Sequence, residues 1–178
     1  MISIIRNATE SDLENILKIE SESFLPDIQE SRQVFFERMQ AFSDGFFVLE
    51  CCGTLAGYFC SELWNSVPEK GDRCFSLNHS AVQNHVNDGF VLYISSIAVS
   101  RKFRGSGMGK KLFCESIQRI CKAFPRITDI LLVVSKEWQN AVRIYKENGF
   151  SDYNTIPSFF PGNPMGTDGI IMRKKIRK

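Results

Sequence analysis

The run Arg104-Gly105-Ser106-Gly107-Met108-Gly109-Lys110 holds the residue types and spacing that point most directly to chemistry in this chain. It separates an apolar run from an amphipathic one, where a strand gives way to a helix. Glycines in such a turn let the backbone approach a ligand closely, and the first amides of a helix have no partner within it. An end of this kind prefers anions, phosphate above all. Arg101, Lys102, Arg104, Lys110 and Lys111 gather positive charge around it.

Three phosphate-binding patterns compete for these residues. The P-loop pattern G-x-x-x-x-G-K-[ST] fails, because Arg104 replaces its first Gly and Lys111 its Ser or Thr. The dinucleotide fingerprint G-x-G-x-x-G needs Gly at Lys110, and fails too. The pattern [QR]-x-x-G-x-[GA] is satisfied by Arg104, Gly107 and Gly109. On this stretch alone, a tight strand–helix turn with no ligand stays an alternative.

A second motif follows at residues 140–150, Asn-Ala-Val-Arg-Ile-Tyr-Lys-Glu-Asn-Gly-Phe, and Ile97-Ala98-Val99 precedes the turn. With Ile4-Ile-Arg-x-Ala-Thr-x-x-Asp-Leu13 and Ile19-Glu-x-x-x-Phe24, these residues resemble the GNAT superfamily of acyl-CoA-dependent N-acyltransferases over nearly the whole chain. The resemblance implies acetyl-CoA as cosubstrate and no metal. It implies that Arg104, Gly105, Ser106, Gly107, Met108, Gly109 and Lys110 hold the CoA pyrophosphate. The backbone of Ile97, Ala98 and Val99 would pair with the pantetheine arm, beside a β-bulge that splays two strands. Amides there would polarise the thioester carbonyl. Tyr145 matches the tyrosine that protonates the departing thiolate, with a packed helix-face aromatic as the alternative.

The implied reaction is direct attack of a primary amine on acetyl-CoA in a ternary complex. The acceptor classes are a small amine, an amino acid, or a protein N-terminus or lysine. The competing class is a non-catalytic acyl-CoA sensor or interaction domain. The tail segments Phe159-Phe-Pro161 and Asp168-Gly-Ile-Ile-Met172 resemble the ribosomal-protein alanine acetyltransferase (RimI-like) branch. That branch favours a peptide N-terminus, whereas a polar excursion at 64–89 would suit a small amine. A homodimer is common in the superfamily and is an expected option.

Two departures from the pattern stand out. Trp138 occupies the position where the superfamily often carries Asn, and it shares a helix face with Ala141 and Tyr145. Asn140 lies about 140° round the helix from Tyr145, at about 100° per residue, and is a poor substitute. Trp138 is therefore expected to stack on the pantetheine or to pack. The base is also missing from its common places, which hold Tyr93 and Val133. Glu62, Tyr93, His79, His85 or a water relay are the remaining candidates. Glu20 and Glu50 read as solvated or structural.

The elements that must position these residues follow from periodicity and turn chemistry. Residues 2–6 read as a strand, and Thr9-x-x-Asp12 and Ser11-x-x-Glu14 start a helix carrying Leu13, Ile16, Leu17 and Glu20. A second helix is predicted over 29–41 with Val34, Phe35 and Met39 inward, stopped at Ser43-Asp44-Gly45. Residues 46–51 and 55–63 form a hairpin turning at Cys52-Gly53-Thr54. The segment 64–89, with Pro68 and Gly71, reads as irregular. Residues 90–99 form a central strand. Met108, Leu112, Phe113, Ile117, Ile120, Cys121 and Phe124 then make one helical stripe. A strand at 127–134, a helix at 138–148 stopped by Gly149, and a strand pair at 150–157 and 169–176 complete the order. The fold class is α/β: one mixed sheet with helices on both faces, in a single domain over 1–178.

Composition is that of an ordinary soluble globular protein and excludes several classes. Hydrophobic residues make up 43% and charged ones 24%, and the net charge of +2 is too small to argue for nucleic acid. The basic residues 173–178 read as a solvated strand end. No apolar run approaches the roughly 20 residues that span a bilayer. The N-terminus lacks a signal peptide's pattern, so a cytoplasmic chain is expected, with no membrane partner. Six cysteines without a C-x-x-C pair read as thiols in a reducing compartment, not as a zinc site. Fifteen phenylalanines are many for this length; most read as core filler, and the pairs 35–36, 46–47 and 159–160 leave some of them for a pocket face.

Overall fold

The computed structural model describes residues 2–69, 73–162 and 166–176. Gly71, part of the loop at 157–168 and the last two residues of the basic tail lie outside the described residues. The strands are β1 (Ser3–Asn7), β2 (Phe46–Cys51), β3 (Thr54–Trp64), β4 (Val91–Val99), β5 (Asp129–Ser135), β6 (Ser151–Phe160) and β7 (Thr167–Lys175). They form one seven-stranded sheet in the order β1-β2-β3-β4-β5-β7-β6. Every neighbouring pair is antiparallel except β4 and β5, which run parallel.

Helices cover both faces. On one face lie α4 (Met108–Ala123) and α5 (Gln139–Glu147), whose Leu112, Phe113, Ile117, Ile120 and Val142 pack on Leu49, Phe59, Leu92, Ile130 and Leu132. On the other lie α1 (Leu13–Ser23) and α2 (Arg32–Ala41), with Leu13, Ile16 and Phe35 against Val48, Tyr58 and Ala98. Helices on both faces leave β2 and β3 buried almost without interruption, instead of alternating between buried and exposed residues.

Local signals set the element ends. Asp12 accepts from the Thr9 N–H at 2.8 Å and pairs with Arg6 at 2.8 Å, which fixes the start of α1. The Ser31 hydroxyl accepts from Val34 N–H at 3.3 Å and starts α2. The β2–β3 hairpin turns on Cys52 and Gly53, at φ 52° and 73°, the left-handed pair that a two-residue turn of this twist requires.

Two expectations are corrected. The excursion after β3 is not wholly irregular: it carries a 3₁₀ turn at Arg73–Phe75 and a short helix, α3 (Ala81–Asn84). Strand β6 runs on through Pro157 to Phe160, beyond the expected end. It is the edge strand, so Pro157 breaks no interior ladder, and the register with β7 shifts between Ile156 and Phe160.

Candidate active site

The site begins with a failure of pairing. Strands β4 and β5 are joined over four register pairs, Val91–Ile94 against Asp129–Leu132, and then separate. The cause lies on the other edge of β4. Cys60 pairs with Ser96 and Ser61 with Ile94, leaving Ser95 as an extra residue. This bulge bends β4 away from β5 and is secured by the Ser95 hydroxyl donating to the Cys60 carbonyl at 3.1 Å. Beyond Ile94, the β5-facing backbone of β4 has no strand partner among the described residues.

A cavity of about 180 Å³ fills the resulting wedge. Ile94, Ser95, Ser96 and Ile97 line it from β4, and Leu132, Val133 and Val134 from β5. Trp138, Ala141 and Tyr145 line it from α5, sharing one side of the helix as their spacing requires. Of the three β4 residues singled out by sequence, only Ile97 is on this wall. Ala98 is buried in the α1–α2 layer, and Val99 packs on the α4 side.

The glycine turn lies between β4 and α4. Gly105 and Gly107 have φ of 76° and 82°, and a side chain added at either would meet no atom within 4 Å. The turn therefore faces open space. Helix α4 makes its first backbone bond from Lys111 N–H to the Gly107 carbonyl at 3.0 Å, so the amides before it point out of the helix end. Ser106 turns its hydroxyl back to the Phe103 carbonyl at 2.5 Å. Arg104 is exposed and folds back along the surface toward α1. Its Nε donates to the Val99 carbonyl at 3.0 Å and Nη2 to the Ser23 hydroxyl at 2.8 Å, so it braces the turn against α1. Lys110 pairs with Glu147 at 3.3 Å on the surface.

Tyr145 is half-buried, its ring centroid 4.8 Å from that of Phe113. Burial pushes its phenol up to about 12, so it is fully protonated at neutral pH. Trp138 packs its ring against Phe24 at 5.5 Å and Phe160 at 4.8 Å, joining the end of α1 to β6 across the cavity.

The sequence reading of Glu20 as solvated or structural is overturned in its first half. Glu20 is 2% exposed and lines the cavity, with Phe24, Ile28, Glu30, Leu77 and Phe160. Its Oε1 accepts from the Glu30 N–H at 2.9 Å, and its Oε2 accepts from the Tyr58 hydroxyl. Burial dominates and lifts its carboxyl to about 7, while the two hydrogen bonds pull the other way. Glu30 is bound by both terminal nitrogens of Arg38, itself 1% exposed. Neither Glu30 nor Arg38 figured in the sequence reading. Helical spacing held the signal, since Glu20 follows Leu13 and Ile16 on one face and Arg38 follows Val34 and Phe35.

The other base candidates stand further back. Glu62 is buried against His79 Nε2 at 2.7 Å and Trp64 Nε1 at 2.9 Å. Tyr93 stacks on Trp64 at 4.2 Å, and burial raises its phenol far above the ordinary value. His79 and Tyr93 line a smaller cavity of about 40 Å³ that shares Glu30, Leu77, Ser95, Val133 and Phe160 with the first. His85 accepts from the Leu63 N–H at 3.1 Å and stacks on Phe42, away from both.

The model of the acetyltransferase (GNAT) family matches residues 13–150. An N-alpha-acetyltransferase of Sulfurisphaera tokodaii is 27% identical over 169 residues, covering 94% of this chain and 90% of that protein. The uncharacterized N-acetyltransferase YkwB of Bacillus subtilis is 26% identical over 114 residues, 61% of this chain. The chain spans only 50% of that relative's length. The crystal structure of the ribosomal-protein-S18-alanine N-acetyltransferase of Escherichia coli has the same fold, with a TM-score of 0.75 at 18% identity, covering 99% of this chain and 96% of that one.

Proposed function

Because this chain belongs to the acetyltransferase (GNAT) family, we propose that it transfers the acetyl group of acetyl-CoA to the α-amine of a protein or peptide N-terminus. The observation that carries the reading is the wedge between β4 and β5, with an open glycine turn beyond β4 and Tyr145 on its wall. These features fit an acyl-CoA chain. The amides of Gly105, Ser106, Gly107, Met108, Gly109 and Lys110 would hold the pyrophosphate. Arg104 would keep the turn in shape, and the free edge of β4 around Ile97, with Ala98 and Val99 behind it, would take the pantetheine. Trp138 would close the wedge with Phe24 and Phe160.

Tyr145 gives its proton to the departing sulfur in this reading. The same dry surroundings that keep the phenol protonated also raise the thiolate's demand for a proton as it forms. Two points support an α-amine as acceptor. An α-amine near 7.7–8.0 loses its proton far more readily than a lysine near 10.4. The relative from Sulfurisphaera tokodaii carries the name N-alpha-acetyltransferase. The cytoplasm is the compartment that fits best. Among the described residues no disulfide joins the cysteines, and no helix is long and apolar enough to cross a membrane.

The test is CoA release from acetyl-CoA with a panel of N-terminal peptides, N-terminally blocked lysine peptides and small amines. Free N-terminal peptides are expected to react fastest. Binding of acetyl-CoA without release for any acceptor would replace the enzyme by an acyl-CoA sensor.

A further inference from the structure

We infer that Glu20 is the proton acceptor of the transfer, held in place by Tyr58 and the backbone of Glu30; the inference rests on the acetyl-transfer reading above. Two carboxylates face the main cavity among the described residues, Glu20 and Glu30. Their surroundings push them toward different tasks. Glu30 is gripped by the Arg38 guanidinium at both oxygens, so its charge is compensated. Glu20 meets only neutral donors, the Tyr58 hydroxyl and the Glu30 N–H. Each carboxylate oxygen has two lone pairs, so Glu20 keeps accepting capacity toward the cavity.

The rival acids and bases stand elsewhere. Glu62 lines neither cavity: its Oε1 takes both His79 and Trp64, and its Oε2 is buried with no hydrogen-bond partner among the described residues. Both nitrogens of His79 are taken, Nδ1 by the Ser76 carbonyl at 2.9 Å and Nε2 by Glu62. The mooring of Glu20 also reaches the wedge itself. The Tyr58 hydroxyl lies 3.0 Å from the Ser96 hydroxyl, and Ser96 follows the bulge on β4. Tyr58 thus fixes the carboxylate to the strand that bends open the site.

Four groups face Glu20: Glu30 from the connection before α2, Arg38 from α2, Tyr58 from β3 and, through Tyr58, Ser96 from β4. Burial outweighs them and leaves the carboxyl near 7, where it is half-ionised and able to take a proton at neutral pH. In the step, the amine nitrogen attacks the thioester carbonyl carbon, the N–C bond forms and the C–S bond breaks. The proton shed by nitrogen passes to the Glu20 carboxylate, while the Tyr145 O–H proton passes to sulfur. An amide and a free thiol result. Glu20 then loses its proton to solvent and Tyr145 regains one.

The test compares kcat against pH for wild type, Glu20→Gln and Tyr58→Phe, using two acceptors of different amine pKa. Wild type should lose rate on the acid side with a midpoint near 7 that stays put when the acceptor changes. Glu20→Gln should abolish that limb and lower kcat by about 100-fold or more, with acetyl-CoA affinity by calorimetry unchanged. Tyr58→Phe keeps the carboxylate but removes a bond that favours its charged form, so the limb should move to higher pH. A Glu20→Gln enzyme within a few-fold of wild type, or a limb that follows the acceptor's own amine, overturns the assignment. Should Glu20→Gln not fold, the Tyr58→Phe shift decides: movement supports Glu20 and an unmoved limb refutes it. Wild type that releases no CoA with any acceptor overturns the transferase reading beneath it.

Discussion

His79 Nε2 lies 2.7 Å from the Glu62 carboxylate, and the two side chains are 5% and 1% exposed. This contact ties the excursion after β3 to the strand it leaves, and it holds the segment that brings Leu77 to the cavity. Removing one partner strands the other in a dry site. His79→Ala should lower unfolding free energy by about 3 kcal/mol in urea titration. On the proposed reading, in which the excursion carrying Leu77 would border the acceptor side of the cavity, it should also raise KM for the acceptor while leaving acetyl-CoA affinity unchanged. Equal effects on both ligands would contradict that division.

Stability should depend on pH through Glu20. Its carboxyl rises from an ordinary 4.5 to about 7 in the folded chain, so the folded state holds the proton more tightly. The stabilisation is complete below 4.5 and is lost as pH climbs through 7. The loss is on the order of 3 kcal/mol, at about 1.4 kcal/mol for each tenfold change in proton affinity. Glu20→Gln cannot titrate, so its stability should fall less than that of wild type between pH 5 and pH 8. Denaturant titrations at the two pH values check this, and parallel losses would show that Glu20 is not the group responsible.

Tyr145→Phe should lower kcat by about 100-fold with little change in acetyl-CoA affinity. The phenol stays protonated up to about 12, so wild type should show no loss of kcat from this group between pH 7 and 10. An unchanged kcat in the variant would return Tyr145 to the role of a packing aromatic.

Gly107 offers a test of the turn. Its φ of 82° strains any side chain, yet the space around it is empty. Gly107→Ala should cost about 1–2 kcal/mol in stability from backbone strain alone. Gly107→Glu should abolish CoA binding in calorimetry, since it adds bulk and negative charge at the helix end. Undiminished binding would move the pyrophosphate elsewhere.

Much of this site could be read from the chain because its parts are local. The glycine turn, the helix carrying Trp138, Ala141 and Tyr145, and the succession of strands and helices along the chain each follow from short-range spacing. Glu20 lies on the same apolar helix face as Leu13 and Ile16, yet a lone carboxylate there reads as solvated or structural. What decides against solvent is a partner 38 residues away, Tyr58, which no local pattern couples to it. The buried Glu30–Arg38 pair, eight residues apart, escaped for a similar reason: it needs the floor that β3 provides. The continuation of β6 through Pro157 was hidden because proline stops an interior strand but not an edge one.

The short pairing between β4 and β5 has one more consequence. Four strands lie on one side of it and three on the other, and only four register pairs stitch the two half-sheets together. On the acyl-CoA reading proposed above, the cosubstrate lodged in the wedge would touch both halves, take up the hydrogen bonds that the missing rungs leave over and work as a temporary eighth strand. Its binding energy is added to the cohesion of the sheet as RT ln(1 + [L]/Kd), so the protein should be mechanically most unified while it is loaded and loosest just after the product departs.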